Sequence, residues 1–468
     1  MPVMIRNGHI VTATDSYIAD VLCEGETIAA IGKDLPLPPG TEVHDATGKF
    51  VFPGFIDPHV HIYLPFMGTF AKDDYVTASR AALVGGTTTL IEMCCPSRTD
   101  DPLQSFELWL SKAEGHAACD FSFHMAVSRF DDTTEPQLRE IVDRGIASFK
   151  VFLAYKDFFG VTDTELFKTL SLARELGVIV TAHCENETLV AECQRQFLAE
   201  GKTGPEWHER SRPVAVETLG VSHLMTFAEM TGAHVYVVHT SCKPAVEAAL
   251  AARDRGVHVW IETVVPYLVL DDTYAEQLHF EGAKYVMSPP IRSAAHQDYL
   301  WTAIRNREIS TVATDHAPFD FKGQKEMGRG DFTKIPNGLP TVEHRVDLLY
   351  TYGVCTGQID LSTLVDCAST QAAKLFGLFP RKGTIAVGSD ADLVIYDPHY
   401  RGIISVSTHQ MATDYSAFEG WPLEGRSDTV LVRGQVQVRG GQFVGTQDHG
   451  RLLRRVPSHG ATVSASRA

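Results

Sequence analysis

The sequence contains no Cys-x-x-Cys pair, and its nine cysteines, odd in number, are scattered from Cys23 to Cys367 along 468 residues. That excludes a zinc ribbon and a disulfide framework, and it is the usage of reduced thiols in a long cytoplasmic protein. No run of about 18 consecutive apolar residues occurs, so no membrane span is expected. Positions 1–32 mix charges and glycines with short apolar runs, without a basic segment leading into a long apolar one, so no secretory signal is expected. Positive charge is also in short supply: 41 Lys and Arg stand against 58 Asp and Glu, a formal charge of −17. With no basic stripe to neutralise phosphates, nucleic acid is excluded as a partner. A Rossmann or Walker phosphate loop is missing as well; Gly85-Gly86, the nearest candidate, precedes a strand instead of following one.

What is present is ordinary globular usage, 44% hydrophobic and 21% charged, in a chain long enough for one large domain and a smaller one. Both chain ends carry short β-type runs. Val3 to Val11, Tyr17 to Cys23 and Thr27 to Ile31 are broken by Asn7-Gly8 and Glu24-Gly25 in hairpin style. Asp392 to Tyr396, Thr429 to Val432 and Gln435 to Val438 have Arg433-Gly434 and Gly440-Gly441 as turns. Neither end alone offers many strands for a stable sheet, so the expectation is one small β-sandwich domain built from both.

Between the ends, buried-looking strands alternate with helical stretches, the pattern of parallel βα units. The strands are expected at Phe52 to Asp57, Thr87 to Met93, Phe121 to Val127, Ser148 to Leu153, Val178 to His183, His234 to Thr240, His258 to Thr263 and Thr311 to Asp315. Helices are expected at Asp73 to Val84, Pro102 to Glu114, Glu135 to Arg144, Asp163 to Leu176, Val214 to Met230 and Lys243 to Arg255. Eight units match a closed (β/α)8 TIM barrel better than an open doubly wound sheet. The division that follows is 1–50 and 381–455 for the β-domain, 51–380 for the barrel, and 456–468 for a Ser- and Ala-rich tail, disordered or an arm on a neighbouring subunit.

The chemistry gathers at strand ends. Gly54-Phe55-Ile56-Asp57-Pro58-His59-Val60-His61 places two histidines two residues apart after the first strand, which in extended chain puts both imidazoles on one side. Lys150, His183, His239 and Asp315 lie at or near the ends of four further strands, and in a barrel those ends converge on one mouth. Taken singly, each of these residues has an ordinary structural use: a hydrogen-bonded histidine, an Asp at a turn, a lysine paired with an acid. Four histidines and an aspartate arriving together point instead to a metal site. Lys150 has no lone pair to give while charged, but burial lowers a lysine pKa, and the neutral amine reacts with carbon dioxide to give an anionic carbamate able to bridge two metals.

These residues resemble those of the cyclic amidohydrolases, in the hydantoinase and dihydropyrimidinase branch of the amidohydrolase superfamily. The resemblance covers nearly the whole chain. It includes Pro65-Phe66-Met67-Gly68-Thr69 with Asp73-Asp74, Phe149 to Tyr155, Ser288-Pro289-Pro290, Asp331-Phe332-Thr333-Lys334-Ile335-Pro336-Asn337-Gly338 and Ala373 to Asp392. It implies a binuclear centre, usually zinc, with His59, His61 and Asp315 on one ion, His183 and His239 on the other, and carboxylated Lys150 between them. It further implies hydrolysis of a small cyclic amide or imide, with Asp315 as base and then acid, Tyr155 stabilising the oxyanion, and backbone groups of Ser288 and Asn337 on the imide edge. A homotetramer is implied too. Ile62, Tyr63, Leu64, Phe66, Phe152 and Phe159 fall on the two segments that shape the family's exocyclic-group pocket. Their apolar character suits alkyl or aryl 5-substituents and not the polar tail of allantoin. One departure is visible: Val264, Val265 and Pro266 stand where Cys, Pro and Gln are common, which leaves substrate preference open between 5-substituted hydantoins, dihydropyrimidines and allantoin. Non-enzymatic scaffold proteins of this fold, the remaining alternative, have lost metal ligands that are all present here.

Overall fold

The computed structural model describes residues 2–458. At its centre eight parallel strands pair in sequence order: Phe55–Val60, Thr87–Cys94, Asp120–Ala126, Ser148–Phe152, Ile179–His183, Val235–Val237, Val259–Val264 and Thr311–Ala313. A parallel bridge between Val60 and His316 joins the last strand to the first. The sheet therefore closes into a (β/α)8 barrel, which leaves no strand edge free to pair with another chain. Nearly every residue of these strands is buried, because helices cover the outside while side chains fill the inside.

The helices follow local signals. Tyr75–Val84 starts at Asp74, whose carboxylate accepts from the N–H groups of Val76 and Thr77. Asp163–Leu176 starts at a Thr162/Glu165 capping box and ends on Gly177 at φ 69°, a left-handed position where glycine carries no Cβ penalty. Pro102–Ala113, Thr134–Asp143, Val214–Thr231 and Lys243–Asp254 occupy the other expected positions.

The chain ends form one nine-stranded sheet around its own core. Its order runs Gln442–Phe443, Gln435–Arg439, Pro422–Val432, Leu393–Ile403, Phe50–Pro53, Val3–Val11, Ser16–Glu24 and Thr27–Gly32, with Glu42–Asp45 also on Val3–Val11. Val3, Ile5, Val21, Val51, Leu393 and Leu431 belong to its core. Two expectations need correction here. Phe52 to Asp57 is not one strand: Phe50–Pro53 pairs in the terminal sheet and Phe55–Val60 in the barrel. The chain passes between the sheets at Gly54, where a Cβ would lie 2.1 Å from Thr88 Oγ1. Nor is Asn7-Gly8 a hairpin; it is a bulge inside the continuous strand Val3–Val11, with Asn7 at φ 56° and the register slipping between Ile5 and Gly8. An extra residue in one strand needs the same left-handed conformer as a tight turn, so the dipeptide alone cannot separate the two.

The terminal sheet is anchored to the barrel by buried charge. Lys382 Nζ lies 2.8 Å from Asp120 of the third barrel strand, 3.0 Å from Asp390 and 2.5 Å from Asp392. Beyond the sheet, the chain returns across the barrel: Phe121 N donates to Arg451 O, Leu453 N donates to Phe121 O, and buried Arg455 donates to Ser122 Oγ and Ser148 Oγ, 2.9 Å each. Of the expected tail, residues 459–468 lie outside the described residues.

Candidate active site

The mouth of the barrel collects the residues singled out from sequence. His59 lies within the first barrel strand and His61 just beyond it; Lys150 is in the fourth, His183 closes the fifth, and His239 and Asp315 follow the sixth and eighth. Tyr155, His239 and Asp315 adopt φ of 62°, 37° and 51°, a region that costs a non-glycine residue of order 1–3 kcal/mol and persists where surrounding structure enforces it. Glu262 Oε1 enforces it at His239, accepting the backbone N–H at 2.8 Å, and Glu187 Oε2 does so at Tyr155 at 2.6 Å.

Two groups of donor atoms result. His59 Nε2 and His61 Nε2 lie 3.1 and 3.3 Å from Asp315 Oδ1, and one ligand atom from each of the three residues falls within 4.8 Å of the others. Beside them, His183 Nδ1 and His239 Nε2 face each other at 2.9 Å. Lys150 is fully buried and its Nζ has no hydrogen-bond partner among the described residues. His59 Nε2, His61 Nδ1 and His239 Nδ1 are also without hydrogen-bond partners there, an unusual density of orphaned polar atoms for a protein interior. A cation held by His59, His61 and Asp315 resolves part of this: it takes up the lone pair of His59 Nε2 and relieves the crowding on Asp315 Oδ1.

Neighbouring acids prepare these groups. His59 Nδ1 donates to Glu262 Oε1 at 2.7 Å, which leaves the lone pair on Nε2, facing Asp315. His183 Nε2 donates to Glu185 Oε2 at 2.9 Å and so presents a lone pair at Nδ1. Burial opposes ionisation of Glu185, but the Arg212 guanidinium at 2.5 Å and His183 bring its carboxyl down to about 2. Burial holds His59 and His239 well below the ordinary histidine value, so both are neutral, the form that can ligate. Burial likewise lowers Lys150, outweighing the pull of Asp315. Glu262, Glu185 and Arg212 were missed in the sequence; the available signals were a carboxylate inside an otherwise apolar strand and the two-residue spacing of His183 and Glu185.

Over this cluster lies a cleft lined by His61, Lys150, His183, His239 and Asp315 and by the apolar side chains of Leu64, Phe66, Phe152 and Phe159. Tyr155, Ser288 and Asn337 also line it: the Tyr155 ring packs edge-on against Phe66 at 5.5 Å, while Asn337 Nδ2 is 3.0 Å from Ser288 Oγ and 3.4 Å from the Tyr155 hydroxyl. The aromatic side is a packed unit, with ring centroids 5.3 Å apart for Phe152 and Phe159 and 6.1 Å for Phe66 and Phe159. Ile62 and Tyr63, expected in the same lining, instead border a separate pocket behind the loop. There Tyr63 stacks on Phe70 and packs against Trp109. The first two residues after His61 thus face the helices, because Glu92 Oε1 captures the N–H groups of both at 3.0 and 2.7 Å.

Comparison with known proteins identifies the family. Residues 50–437 match the amidohydrolase family. A solved structure of D-hydantoinase (dihydropyrimidinase) from Thermus sp. superposes with a TM-score of 0.96 at 63% identity, over 97% of this chain and 99% of that one. The D-hydantoinase of Geobacillus stearothermophilus is 48% identical over 97% of both chains, and the dihydropyrimidinase of Rattus norvegicus 38% identical over 97% of this chain and 89% of its own. The chain belongs to the amidohydrolase family, in its hydantoinase and dihydropyrimidinase branch.

Proposed function

We propose that this protein hydrolyses the ring amide of a 5-substituted hydantoin or a dihydropyrimidine, giving the N-carbamoyl amino acid. The observation that carries the reading is the convergence of His61, Lys150, His183, His239 and Asp315, with His59 beside them, at a cleft lined by both apolar and polar side chains. The donor set suits two divalent ions, zinc by its nitrogen and oxygen character. His59, His61 and Asp315 would hold one; the facing nitrogens of His183 and His239 would hold the other. Lys150, buried, below its ordinary pKa and unpartnered at Nζ, suits N-carboxylation, and the carbamate would lie between the two. When bound, the metals supply Lewis acidity and a nucleophilic hydroxide near neutral pH.

The chain's own groups account for the rest. Asp315 takes the proton of the attacking hydroxide on its carboxylate and returns it to the ring nitrogen as the C–N bond breaks, so that the ring opens to a carboxylate and a neutral amide nitrogen. The Tyr155 hydroxyl, raised above its ordinary value by burial and so held protonated, donates to the oxygen that becomes negative at the carbonyl under attack. Ser288 and Asn337 hold the alternating C=O and N–H edge of the ring. Leu64, Phe66, Phe152 and Phe159 exclude water from the exocyclic substituent, which favours alkyl and aryl groups over the ureido group of allantoin. The barrel, 51–380, is the catalytic unit in this reading, and a homotetramer in the cytoplasm, where nine free thiols stay reduced, is its setting.

The test is metal content together with turnover of dihydrouracil, 5-phenylhydantoin and allantoin, for wild type and Lys150→Ala. Two metals per chain, preference for the first two rings and loss of at least about a hundredfold in kcat in the variant support the reading. Allantoin as best substrate converts it to an allantoinase, and a wild type with neither metal nor turnover to a non-catalytic scaffold.

A further inference from the structure

One fully buried cation takes no part in the chemistry described so far. Lys325, on the long connection after the eighth barrel strand, is 0% exposed. Its Nζ donates to three backbone carbonyls and, among the described residues, to nothing else: Val286 O at 2.8 Å, Pro336 O at 2.7 Å and Gly338 O at 2.8 Å. No carboxylate offsets its charge among the described residues; burial alone acts on it and lowers it well below the ordinary lysine value. Three carbonyl acceptors nevertheless call for three N–H donors, which an ammonium has and a neutral amine lacks. Burying an ammonium without an opposite charge is unfavourable, so its presence needs a reason beyond stability.

The reason lies in whose carbonyls these are. They come from two loops, 286–288 and 336–338, that carry Ser288 and Asn337 to the cleft. The loops also touch directly, through Gly338 N to Val286 O at 3.0 Å and Asn337 Nδ2 to Ser288 Oγ at 3.0 Å. Pro336 C=O belongs to the same peptide unit as the Asn337 N–H. A cation on the oxygen polarises that unit and makes its N–H a stronger donor. Ser288 has the parallel arrangement in neutral form: His208 Nε2 donates to Met287 C=O at 2.9 Å, the other half of the peptide that ends in the Ser288 N–H. Both groups proposed to read the ring edge are thus driven from behind, one by an ammonium and one by an imidazole.

We propose that Lys325 is a positioning residue for ring recognition, a tethered cation that locks loops 286–288 and 336–338 together and strengthens the Asn337 N–H as a donor to a ring carbonyl. The inference rests on the reading in which Ser288 and Asn337 hold the substrate. It separates Lys325 from the metal centre, since none of its contacts is to a metal-site residue. Its loss weakens substrate binding while leaving the ligands in place.

The experiment compares full-length, zinc-loaded wild type with Lys325→Met and Lys325→Gln, reading KM and kcat for dihydrouracil and 5-phenylhydantoin, metals per chain and the circular dichroism spectrum. The expected result is a KM raised about tenfold or more in Lys325→Met for both rings, a kcat within about threefold of wild type, unchanged metal content, and an intermediate KM in Lys325→Gln, which keeps two N–H donors. A wild-type KM in either folded variant overturns the proposal. So does loss of metal together with activity, or failure to recover either variant folded, because each of these assigns Lys325 a purely structural role. Failure of the wild type to turn over either ring sinks the functional reading on which the inference rests, and that outcome is read from the wild-type arm alone.

Discussion

A histidine holds a metal only as firmly as its second nitrogen is held. Glu262 does this for His59 at 2.7 Å, and the same carboxylate fixes the backbone N–H of His239 at 2.8 Å and accepts the Tyr236 hydroxyl at 2.8 Å. One buried side chain therefore aligns candidate ligands from both donor groups. Replacing it by Ala frees the His59 ring and the left-handed turn at His239 at once. The expected outcome for Glu262→Ala is a loss of about 10–100-fold in zinc affinity, measured by competition with a chromophoric chelator on protein whose circular dichroism matches wild type; an unchanged affinity rules out this role for Glu262. The candidate ligands were readable in the sequence because they lie in or just after barrel strands, where spacing and direction are local properties. Glu262 was not, because its meaning lies in a contact to a residue 203 positions away.

At the level of elements, the barrel helices and strands were legible to within a few residues, since buried parallel strands and capped helices are both specified by their own sequences. The sixth and eighth strands are the informative misses. His234 to Thr240 and Thr311 to Asp315 were expected as strands throughout, yet the regular strands end at Val237 and Ala313. His239 and Asp315 leave the extended region two residues later, so the turns that aim them into the site shorten the strands that carry them, a conflict between local propensity and function. The loop after the fourth strand is similarly built around function. Tyr155 O accepts from the N–H groups of Phe158, Phe159 and Gly160, a knot that brings Phe159 back against Phe152 and Phe66. Truncating it opens the apolar side of the cleft without touching the donor atoms below. Phe159→Ala is expected to lower kcat/KM for 5-phenylhydantoin by about 10–200-fold while dihydrouracil, which has no 5-substituent, changes by less than about threefold. Equal losses on both substrates, measured side by side, place Phe159 outside the pocket for the exocyclic group.

Across the whole molecule the excess of acid over base stays mostly at the surface, but two carboxyls are buried where the segment 343–347 passes under the barrel and the terminal sheet. Burial pushes Glu343 up to about 8 and Asp347 up to about 7. Backbone N–H groups of Gln410, at 2.5 Å from Oε2, and of Met411 compensate Glu343 only in part. Folded protein thus keeps a proton on Glu343 that the unfolded chain releases near pH 4.5. Where the folded state binds more protons, stability falls as pH rises. The contribution of Glu343 is undiminished below about pH 4.5, declines through neutrality and is flat again above about 8. Asp347 adds a fall of the same sign between about 4 and 7. Glu343→Gln keeps an acceptor for Gln410 N and removes the ionisation. Its melting temperature is therefore expected to exceed that of wild type at pH 8 by several degrees and to match it within about 2 °C at pH 5. The measurement is a set of thermal melts of metal-loaded protein at half-unit steps between those limits. Two parallel curves would show that Glu343 is ionised in the folded state and that the seam between barrel and sheet admits water.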